Sequence, residues 1–450
     1  MNDASPDASP HLGLARDRHL FGPGPKRILS LDGGGVRGAI SVAFLERIEK
    51  IIQEEEAKRG NGAAKIRLGD YFDLVGGTST GAVIAGALAL GNSTAEIKDF
   101  YLKLAPRVFK RPFWRVPGLQ AKFDAGALRE EIDKIVKDRR LDSPDLITGL
   151  CVVTKRLDTG SPWILANNCK APYWHPGTPG SEVDPKGYTG NSEYRLANLV
   201  RASTAAPHFF DPEILPIVED ERTQPLPDVN AKLVNLPALS LLASKLRLLL
   251  LSARRRRGED ISKTHGLFVD GGVTPYNNPT MALLMMTQLE RFALKWPLGP
   301  GKLSITSIGT GTHRTTMSFK QLGWFGPLRV ALSALLSLMS DIESLSLAQM
   351  QWLGECPQPW IINSEIRDLA GDAPPGGKWF RFLRYDVRLE ASWLRENLHL
   401  DFTESEVENF RRMDDPGIIK NIYAIARLAA ETQVKREHFF PDAPAHPGPV

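Results

Sequence analysis

The stretch ILSLDGGGVRGAIS, residues 28–41, places a glycine-rich loop directly behind a short apolar segment. Residues 27–32 have the length and apolar character of a buried strand, and apolar side chains recur at helical spacing after Gly38. A strand, a glycine loop and a helix in this order are typical of an α/β fold. The glycines at positions 33, 35 and 38 also match the spacing of a dinucleotide-binding loop, so the loop suits a group with negative charge.

The same unit repeats in residues 71–91. There YFDLVGG predicts a strand, TST a turn and GAVIAGALALG a helix whose small side chains allow close packing on a sheet. Alternating helices and apolar strands predict an α/β fold with a mostly parallel sheet that helices cover on both faces. The other predicted helices lie at 94–105 and 125–138, and the other strands at 150–157, 162–167, 266–272 and 302–311.

The composition of the 450-residue chain is that of a globular protein, with 42% hydrophobic and 24% charged residues. Its 56 basic and 52 acidic residues leave a formal net charge of +4, so charge gives no reason to expect a nucleic-acid partner. The three cysteines, Cys151, Cys169 and Cys356, are far apart and form no CxxC pair. Neither a disulfide framework nor a zinc site is expected, and a reducing compartment is predicted.

No apolar run reaches the length of about 20 residues that a membrane-spanning helix needs, and the first residues lack the pattern of a secretory signal. We therefore predict a cytoplasmic protein whose membrane contact, if it has one, is peripheral. The basic amphipathic segment at 236–257 either lies on an anionic membrane surface, packs as a helix over the catalytic cleft, or forms a surface loop with a solvated run of arginines. Trp324, Phe325 and the helix at 328–339 form either core or a homodimer contact, and the sequence does not choose between them.

Residues 76–81, GGTSTG, contain the pattern Gly77-x-Ser79-x-Gly81 between a predicted strand and a predicted helix. In a nucleophile elbow, such a tight turn presents the serine hydroxyl at the carboxyl end of the sheet, and the glycines prevent side-chain clashes. The start of the helix adds the positive end of its dipole. An ordinary glycine-rich turn is the alternative, and the strand and helix on either side favour the elbow.

Asp270 closes an apolar strand in LFVDGGV and is followed by two glycines. An aspartate at the carboxyl end of a strand lies where α/β sheets carry their active sites, although Asp-Gly pairs more often cap a turn. As the base for Ser79 it would be partly desolvated, with a raised pKa, and within hydrogen-bond distance of the serine hydroxyl. A Ser-Asp-His triad would instead recruit one of His208, His265, His313 and His399.

Five stretches follow one another between about residues 26 and 312: LSLDGGGVRG, YFDLVGGTSTGAVIAGALA, VRASTAAPHFFDP, FVDGGVTPYNNP and SIGTGT. Together they resemble the patatin-like phospholipases, a family of serine lipid acyl hydrolases that use a Ser-Asp dyad. The resemblance implies a three-layer α/β/α sandwich with a mostly parallel central sheet. We accordingly divide the chain into a flexible arm at 1–25, a catalytic domain at 26–315, a mainly helical C-terminal extension packed on it at 316–440 and a disordered tail at 441–450.

The resemblance also assigns roles to single residues. Ser79 is the expected nucleophile, and Asp270 is the base that takes its proton. Backbone N–H groups of consecutive glycines can converge on the oxyanion of an attacked ester. Arg37, beside that loop, either anchors a substrate phosphate or hydrogen-bonds neighbouring backbone. The expected oxyanion-hole residues are Gly33, Gly34 and Gly35, and the other motif glycines are Gly38, Gly77, Gly81, Gly271 and Gly272.

These roles predict a lipid acyl hydrolase of the phospholipase A type that cleaves acyl esters of glycerophospholipids or related lipids through an acyl-enzyme, without a metal or other cofactor. An α/β-hydrolase with a histidine triad is the first alternative. A nucleotide-binding regulatory protein is the second, but it needs an acidic residue at a strand end about 20 positions after the loop. Glu54, Glu55 and Glu56 fall in a predicted helix instead. Some bacterial members of the family are switched on by cyclic nucleotides, and no activator can be read from this sequence.

Overall fold

A central nine-stranded sheet organises the computed structural model, which describes residues 13–59, 66–109, 123–176, 187–218, 264–313 and 327–441. The strands are β1 (Lys26–Leu31), β2 (Leu74–Thr78), β3 (Gly149–Arg156), β4 (Ser161–Ala166), β5 (Glu213–Pro216), β6 (His265–Asp270), β7 (Leu303–Ile308), β8 (Gly354–Glu355) and β9 (Phe380–Tyr385). Hydrogen-bonded neighbours follow the order β5-β6-β3-β2-β1-β7-β9-β8, and β4 also pairs with β3.

Most of the sheet is parallel, as predicted. Parallel pairings join β3, β2, β1, β7, β9 and β8 in turn. The strands β4 and β6 run antiparallel to β3, and β5 runs antiparallel to β6. The carboxyl ends of the parallel strands therefore lie along the same end of the sheet. Strand β6 runs in the opposite direction.

Helices cover both faces of the sheet. Alternate residues of a strand point to opposite faces, and in β1 Leu29 and Leu31 lie in the larger hydrophobic core while Ile28 lies in the smaller one. The helices contributing to the larger core are α2 (Gly38–Lys58), α3 (Leu68–Tyr71), α4 (Thr80–Ala89), α5 (Thr94–Val108), α6 (Ala125–Val136), α7 (Leu196–Ser203), α10 (Ala391–Leu398), α11 (Glu404–Phe410) and α12 (Ile419–Gln433). Those contributing to the smaller core are α1 (Ala15–Phe21), α8 (Thr280–Gln288) and α9 (Pro327–Leu353). The predicted three-layer α/β/α sandwich is confirmed.

The C-terminal region is mainly helical, and it also completes the central sheet. Strand β9 pairs with β7 from Ser304 opposite Arg381 to Ile308 opposite Tyr385, and α12 packs on α2. The sequence pattern does not predict β9, because arginines at positions 381 and 384 interrupt its apolar residues. The boundary near residue 315 stays a prediction, and the sheet itself continues past it.

Other differences from the predicted elements are local. Helix α1 lies inside the segment predicted as a flexible arm, and its Leu20 is buried in the smaller core. Seven residues are too few for helical periodicity to stand out in a sequence. Tyr71 ends α3 instead of starting a strand, so β2 begins at Leu74. The predictions for 236–257, Trp324, Phe325 and 442–450 lie outside the described residues. Within the described part of the chain, no helix is both long and apolar enough to cross a membrane.

Candidate active site

Ser79 occupies a strained turn between a strand and a helix. Strand β2 ends at Thr78 and helix α4 begins at Thr80, and between them Ser79 has φ 54° and ψ −122°. A non-glycine residue in such a conformation costs about 1–3 kcal/mol and is typical of functional sites. The turn is also tight, because a Cβ at Gly77 would lie 2.1 Å from the carbonyl oxygen of Gly81, and one at Gly81 would lie 2.2 Å from that of Leu31. The local geometry is that of the nucleophile elbow.

A second serine holds the backbone of this elbow. The N–H of Ser79 donates a hydrogen bond of 2.8 Å to Oγ of Ser203, whose hydroxyl donates to the carbonyl oxygen of Val153 at 2.6 Å. Ser203 is fully buried at the end of α7. Sequence patterns assign no catalytic role to the stretch VRASTAAP, and a serine within it carries no signal that would identify its contact with Ser79.

Asp270 reaches Ser79 because β2 and β6 both pair with β3 and end opposite adjacent residues of it. Thr78, the last residue of β2, pairs with Val153, and Asp270, the last residue of β6, pairs with the adjacent Thr154. The Ser79 hydroxyl donates a hydrogen bond of 2.6 Å to Oδ2 of Asp270. The other carboxylate oxygen, Oδ1, accepts the N–H of Gly272 at 2.7 Å. Asp270 therefore caps its own turn and contacts the serine at the same time, which combines the two interpretations that the sequence left open.

The surroundings of Asp270 favour its neutral form. The residue is only 4% exposed, and this burial raises the pKa of its carboxyl from 3.8 to about 6. Hydrogen bonds from Ser79 and Gly272 and the positive charge of Arg201 act in the opposite direction, and they are smaller than the effect of burial. A carboxylate with this pKa is ionised at neutral pH and accepts a proton more readily than an exposed aspartate.

The glycine loop after β1 lies directly beside Ser79, since a Cβ at Gly33 would lie 3.1 Å from the Ser79 Cβ. The N–H of Gly33 donates to the carbonyl oxygen of Asn277 at 3.1 Å, so it is already occupied. The N–H groups of Gly34 and Gly35 have no partner in the described part of the chain, and the assignment of Gly33, Gly34 and Gly35 to an oxyanion hole stays a prediction.

Two of the motif glycines are required by close contacts around this loop. Gly35 has φ 58°, and a Cβ on it would lie 2.3 Å from the carbonyl oxygen of Met413. A Cβ on Gly38 would lie 2.2 Å from Cγ2 of Thr80. The carbonyl oxygen of Gly35 accepts hydrogen bonds from the hydroxyls of Thr80, at 2.9 Å, and Tyr101. The loop is thus held by α4, α5 and the C-terminal region.

The family model for the patatin-like phospholipases matches residues 29–284, which contain Ser79, Asp270 and the glycine loop. The chain belongs to the patatin-like phospholipase family. The resemblance inferred from the five sequence stretches is thereby confirmed.

Several similar proteins are described as phospholipases or patatin-like proteins. A cGAMP-activated phospholipase of Vibrio cholerae serotype O1 is 32% identical over 198 residues, which are 41% of this chain and 49% of that protein. Patatin-like protein 1 of Arabidopsis thaliana is 27% identical over 310 residues, 64% of this chain and 59% of the relative. The chain spans about half the length of the curated relatives it matches. The crystal structure of VipD from Legionella pneumophila aligns with 91% of this chain and 67% of its own at 11% identity, with a TM-score of 0.29.

The candidate histidines of this patatin-like chain have their described contacts elsewhere. His208 packs against Phe209, His265 is hydrogen-bonded to Thr264, and His399 ends α10 with a left-handed backbone conformation. Burial, with the nearby charges of Arg37 and Arg411, lowers the pKa of His313 to about 4. In the described part of the chain, the partner of the Ser79 hydroxyl is a carboxylate and not an imidazole.

The acidic residues required by a nucleotide site are also in the wrong place. Glu54, Glu55 and Glu56 lie near the end of α2, as predicted, and Glu55 forms ion pairs with Lys58 and Arg436. The strand after α2 is β2, and its carboxyl end carries Ser79. The loop therefore lacks the ribose-binding residue of the dinucleotide fingerprint.

Arg37 is buried and faces the C-terminal region. Burial lowers the pKa of its guanidinium, while the charges of Glu343 and Asp386 act to raise it. Among the described residues, no hydrogen-bond partner meets its Nε or Nη1. Neither of the two predicted roles, a phosphate contact or a hydrogen bond to the loop, is tested by these contacts, and both stay predictions.

A buried ionic network links the start of the glycine loop to β9. Nη2 of Arg384 lies 2.8 Å from Asp32, 2.7 Å from Asp386 and 3.0 Å from Glu343. The carboxylate oxygens of these three acidic residues lie within 4.8 Å of one another, a spacing that could hold a metal ion. Arg384 already supplies positive charge to all three. Because Asp32 directly precedes Gly33, the C-terminal region contributes to the position of the loop.

Proposed function

We propose that this protein is a lipid acyl hydrolase of the phospholipase A type, which cleaves acyl esters of glycerophospholipids or related lipids. The observation that carries the proposal is the 2.6 Å hydrogen bond from the Ser79 hydroxyl to a buried carboxylate of Asp270. Two N–H groups without an acceptor among the described residues, those of Gly34 and Gly35, lie on the adjacent loop. Nucleophile, base and oxyanion donors are the three parts that acyl transfer from an ester needs.

The first half of the reaction forms an acyl-enzyme. The Ser79 oxygen attacks the ester carbonyl carbon, and its proton passes to Oδ2 of Asp270. The carbonyl oxygen becomes an oxyanion, which the N–H groups of Gly34 and Gly35 stabilise, and removing one such donor typically costs about 10²–10³ in rate. The carbon–oxygen bond to the lysolipid then breaks, and Asp270 returns the proton to the leaving alkoxide.

The second half releases the fatty acid. A water molecule donates its proton to Asp270 and attacks the acyl carbon, and the same two N–H groups stabilise the second oxyanion. Collapse of this intermediate breaks the bond to Ser79, which regains the proton. Oδ1 of Asp270 keeps its hydrogen bond to the N–H of Gly272 throughout, so one oxygen orients the carboxylate while the other exchanges the proton.

The dyad and the histidine triad make opposite predictions. With the dyad, Asp270→Asn abolishes turnover and alanine variants of the four candidate histidines retain it. With a triad, one histidine variant is as inactive as Ser79→Ala. The described contacts of the four histidines favour the dyad. All proposed catalytic residues lie inside 26–315, which we propose as the catalytic domain.

The decisive experiment uses vesicles of a phospholipid that has different acyl chains at its two positions. Released fatty acid and lysolipid are identified by mass spectrometry for the wild type, Ser79→Ala and Asp270→Asn. A matched control is Ser143→Ala, in the loop before β3 at the opposite edge of the sheet. Because one relative is described as cGAMP-activated, each assay is run with and without cGAMP. Sedimentation with the same vesicles measures the predicted peripheral membrane contact.

We expect release of fatty acid by the wild type and by Ser143→Ala, and none by the two dyad variants. The identity of the lysolipid reports which acyl position is cleaved. Release that continues in Ser79→Ala would contradict the proposal, and release that is lost only in a histidine variant would favour the triad.

A further inference from the structure

We propose that Thr310 is a positioning residue that aims the N–H of Gly34 into the oxyanion hole. The inference rests on the proposed function, because it concerns the same acyl-transfer site. Thr310 lies two residues beyond β7, in the stretch SIGTGT, for which the sequence predicts only a strand and its turn. It is 5% exposed and borders the glycine loop.

The contact that carries the inference is a single hydrogen bond. The hydroxyl of Thr310 donates to the carbonyl oxygen of Gly33 at 2.8 Å. The side-chain amide of Asn277 also reaches this oxygen, at the longer distance of 3.5 Å. A hydroxyl has one proton to donate, so this bond uses the whole donor capacity of Thr310.

Peptide planarity transmits this contact to the neighbouring residue. The carbonyl of Gly33 and the N–H of Gly34 belong to the same trans peptide and point in opposite directions. Holding the carbonyl against Thr310 therefore fixes the direction of the N–H. Since the described residues offer the Gly34 N–H no acceptor, the hydrogen bond from Thr310 at 2.8 Å is the shortest hydrogen bond to this peptide and directly restrains where its N–H points.

The packing leaves this peptide little freedom. A Cβ on Gly34 would lie 2.2 Å from Oγ1 and 2.4 Å from Cβ of Thr310, so the backbone rests directly on the threonine. On another side, a Cβ on Gly33 would lie 3.1 Å from the Cβ of Ser79. The peptide between Gly33 and Gly34 is thus held between the nucleophile and Thr310, which is where an oxyanion donor has to lie.

The test separates the hydroxyl of Thr310 from its bulk. Thr310→Val keeps the shape and removes the donor, and Thr310→Ser keeps the donor and removes a methyl group. Thr310→Ala is a second apolar variant in case valine does not fold, which a melting temperature reveals. The matched control is Thr148→Val, because Thr148 is fully buried, donates to the carbonyl oxygen of Phe72 and precedes β3 at the opposite edge of the sheet.

The kinetic constants are measured on the phospholipid vesicles of the previous section. Thr310→Val is expected to lower kcat by about 10–100-fold, less than loss of a whole oxyanion donor, with KM within about threefold of the wild type. Thr310→Ser and Thr148→Val are expected to stay within about threefold in kcat. A fully active Thr310→Val, a change confined to KM, or an equal loss in Thr310→Ser would overturn the inference.

A second readout does not depend on the lipid. A fluorophosphonate probe is attacked by the Ser79 oxygen, the oxygen–phosphorus bond forms, fluoride leaves and the proton passes to Asp270. Negative charge develops on the phosphoryl oxygen while the oxygen–phosphorus bond forms, before the phosphorus–fluorine bond breaks, so the labelling rate also depends on the oxyanion donors. Labelling that needs Ser79 and slows in Thr310→Val but not in Thr310→Ser supports the inference even if no lipid is hydrolysed. Lipid hydrolysis that needs Ser79, with labelling and kcat unchanged in Thr310→Val, keeps the proposed function and rejects the inference.

Discussion

Ser79 and Asp270 lie 191 positions apart in the chain and meet at 2.6 Å, because β2 and β6 reach adjacent residues of β3 from opposite directions. An antiparallel strand at the edge of a parallel sheet brings two carboxyl ends face to face. The serine is thereby presented on a strained elbow and the aspartate on a capped turn. At this distance a proton can pass from the Ser79 hydroxyl to the Asp270 carboxylate without a third residue between them.

The pH dependence of catalysis follows from the burial of Asp270. As the proposed base, Asp270 works only when it is ionised, and burial raises the pKa of this carboxyl to about 6. We expect kcat/KM to fall below pH 6 with the titration of a single proton and to be level above pH 7. Initial rates between pH 4.5 and 8 measure this profile. An inflection near pH 4 would mean that the base is exposed to water, contrary to the structure.

The same burial of Asp270 lowers the free energy of unfolding at neutral pH. Between about pH 4 and pH 6 the folded chain keeps a proton that the unfolded chain has lost, so the free energy of unfolding decreases as pH rises through this range. The full cost above pH 6 is about 3 kcal/mol, at 1.36 kcal/mol for each unit of pKa. Asp270→Asn is therefore expected to be inactive and yet more stable than the wild type at pH 7.5, by up to that amount.

Urea unfolding at pH 4 and at pH 7.5 measures this gain in Asp270→Asn. The difference between variant and wild type is expected at pH 7.5 and absent at pH 4. Asp142→Asn, at an exposed position, serves as the control and is expected to leave stability unchanged at both values. A loss of stability in Asp270→Asn at pH 7.5 would contradict the assigned direction of the pKa shift.

The sequence predicted the parts of the site that follow from short local patterns. A strand, a tight glycine turn and a helix are local features, so Ser79 and the glycine loop could be placed without coordinates. Asp270 was a candidate base from its place at the end of a predicted strand, and the family resemblance favoured it over a turn cap. The stretches SIGTGT and VRASTAAP contributed to the family resemblance, but the sequence predicted no role for the threonine and serine side chains within them. The hydroxyls of Thr310 and Ser203 contact backbone groups 277 and 124 positions away in the chain, and a single threonine or serine leaves no periodic signal.

The assignment of the oxyanion donors illustrates the same limit. Three consecutive glycines are equivalent in a sequence, but the N–H of Gly33 is taken by the carbonyl oxygen of Asn277. Which peptide of a loop is satisfied depends on tertiary contacts that spacing does not encode. Strand β9 was missed for a similar reason, because an arginine such as Arg384 is usually exposed. In the structure it is buried beside Asp32, Glu343 and Asp386, which come from separate segments of the chain.

The ionic network around Arg384 gives a prediction about folding. Arg384→Met removes the cation shared by Asp32, Asp386 and Glu343, and breaking a buried ion pair in this way costs about 3–5 kcal/mol. Burial raises the pKa of Asp32 to about 8, so this carboxyl can take up a proton and the lower end of that range is expected. Arg381→Met, on the same strand, is the control: Arg381 pairs at 3.4 Å with Glu355, whose side chain is 51% exposed, and donates to the carbonyl oxygen of Glu437 at 3.0 Å, so a loss of about 1–2 kcal/mol is expected there. Urea unfolding measures both, and equal losses would mean that the network contributes nothing beyond a surface ion pair.

Ser203 is expected to matter for both stability and turnover. In Ser203→Ala the N–H of Ser79 and the carbonyl oxygen of Val153 lose their shared partner, and leaving buried polar groups unsatisfied costs about 1–3 kcal/mol. Because one of these groups belongs to the nucleophile, we also expect kcat to fall by roughly tenfold, or about 1.4 kcal/mol in the activation barrier. Thermal unfolding and the vesicle assay are run on the same preparation.

Ser192→Ala separates the two effects of Ser203→Ala. Ser192 is buried and its hydroxyl donates to the carbonyl oxygen of Trp174 at 2.7 Å, an oxygen that also accepts the Ser192 N–H at 3.1 Å. Ser192→Ala therefore removes a buried hydrogen bond at a distance from the elbow, and a smaller loss of stability with unchanged kcat is expected. If both variants lose stability and neither loses kcat, the contact between Ser203 and Ser79 stabilises the fold without holding the nucleophile in its reactive position.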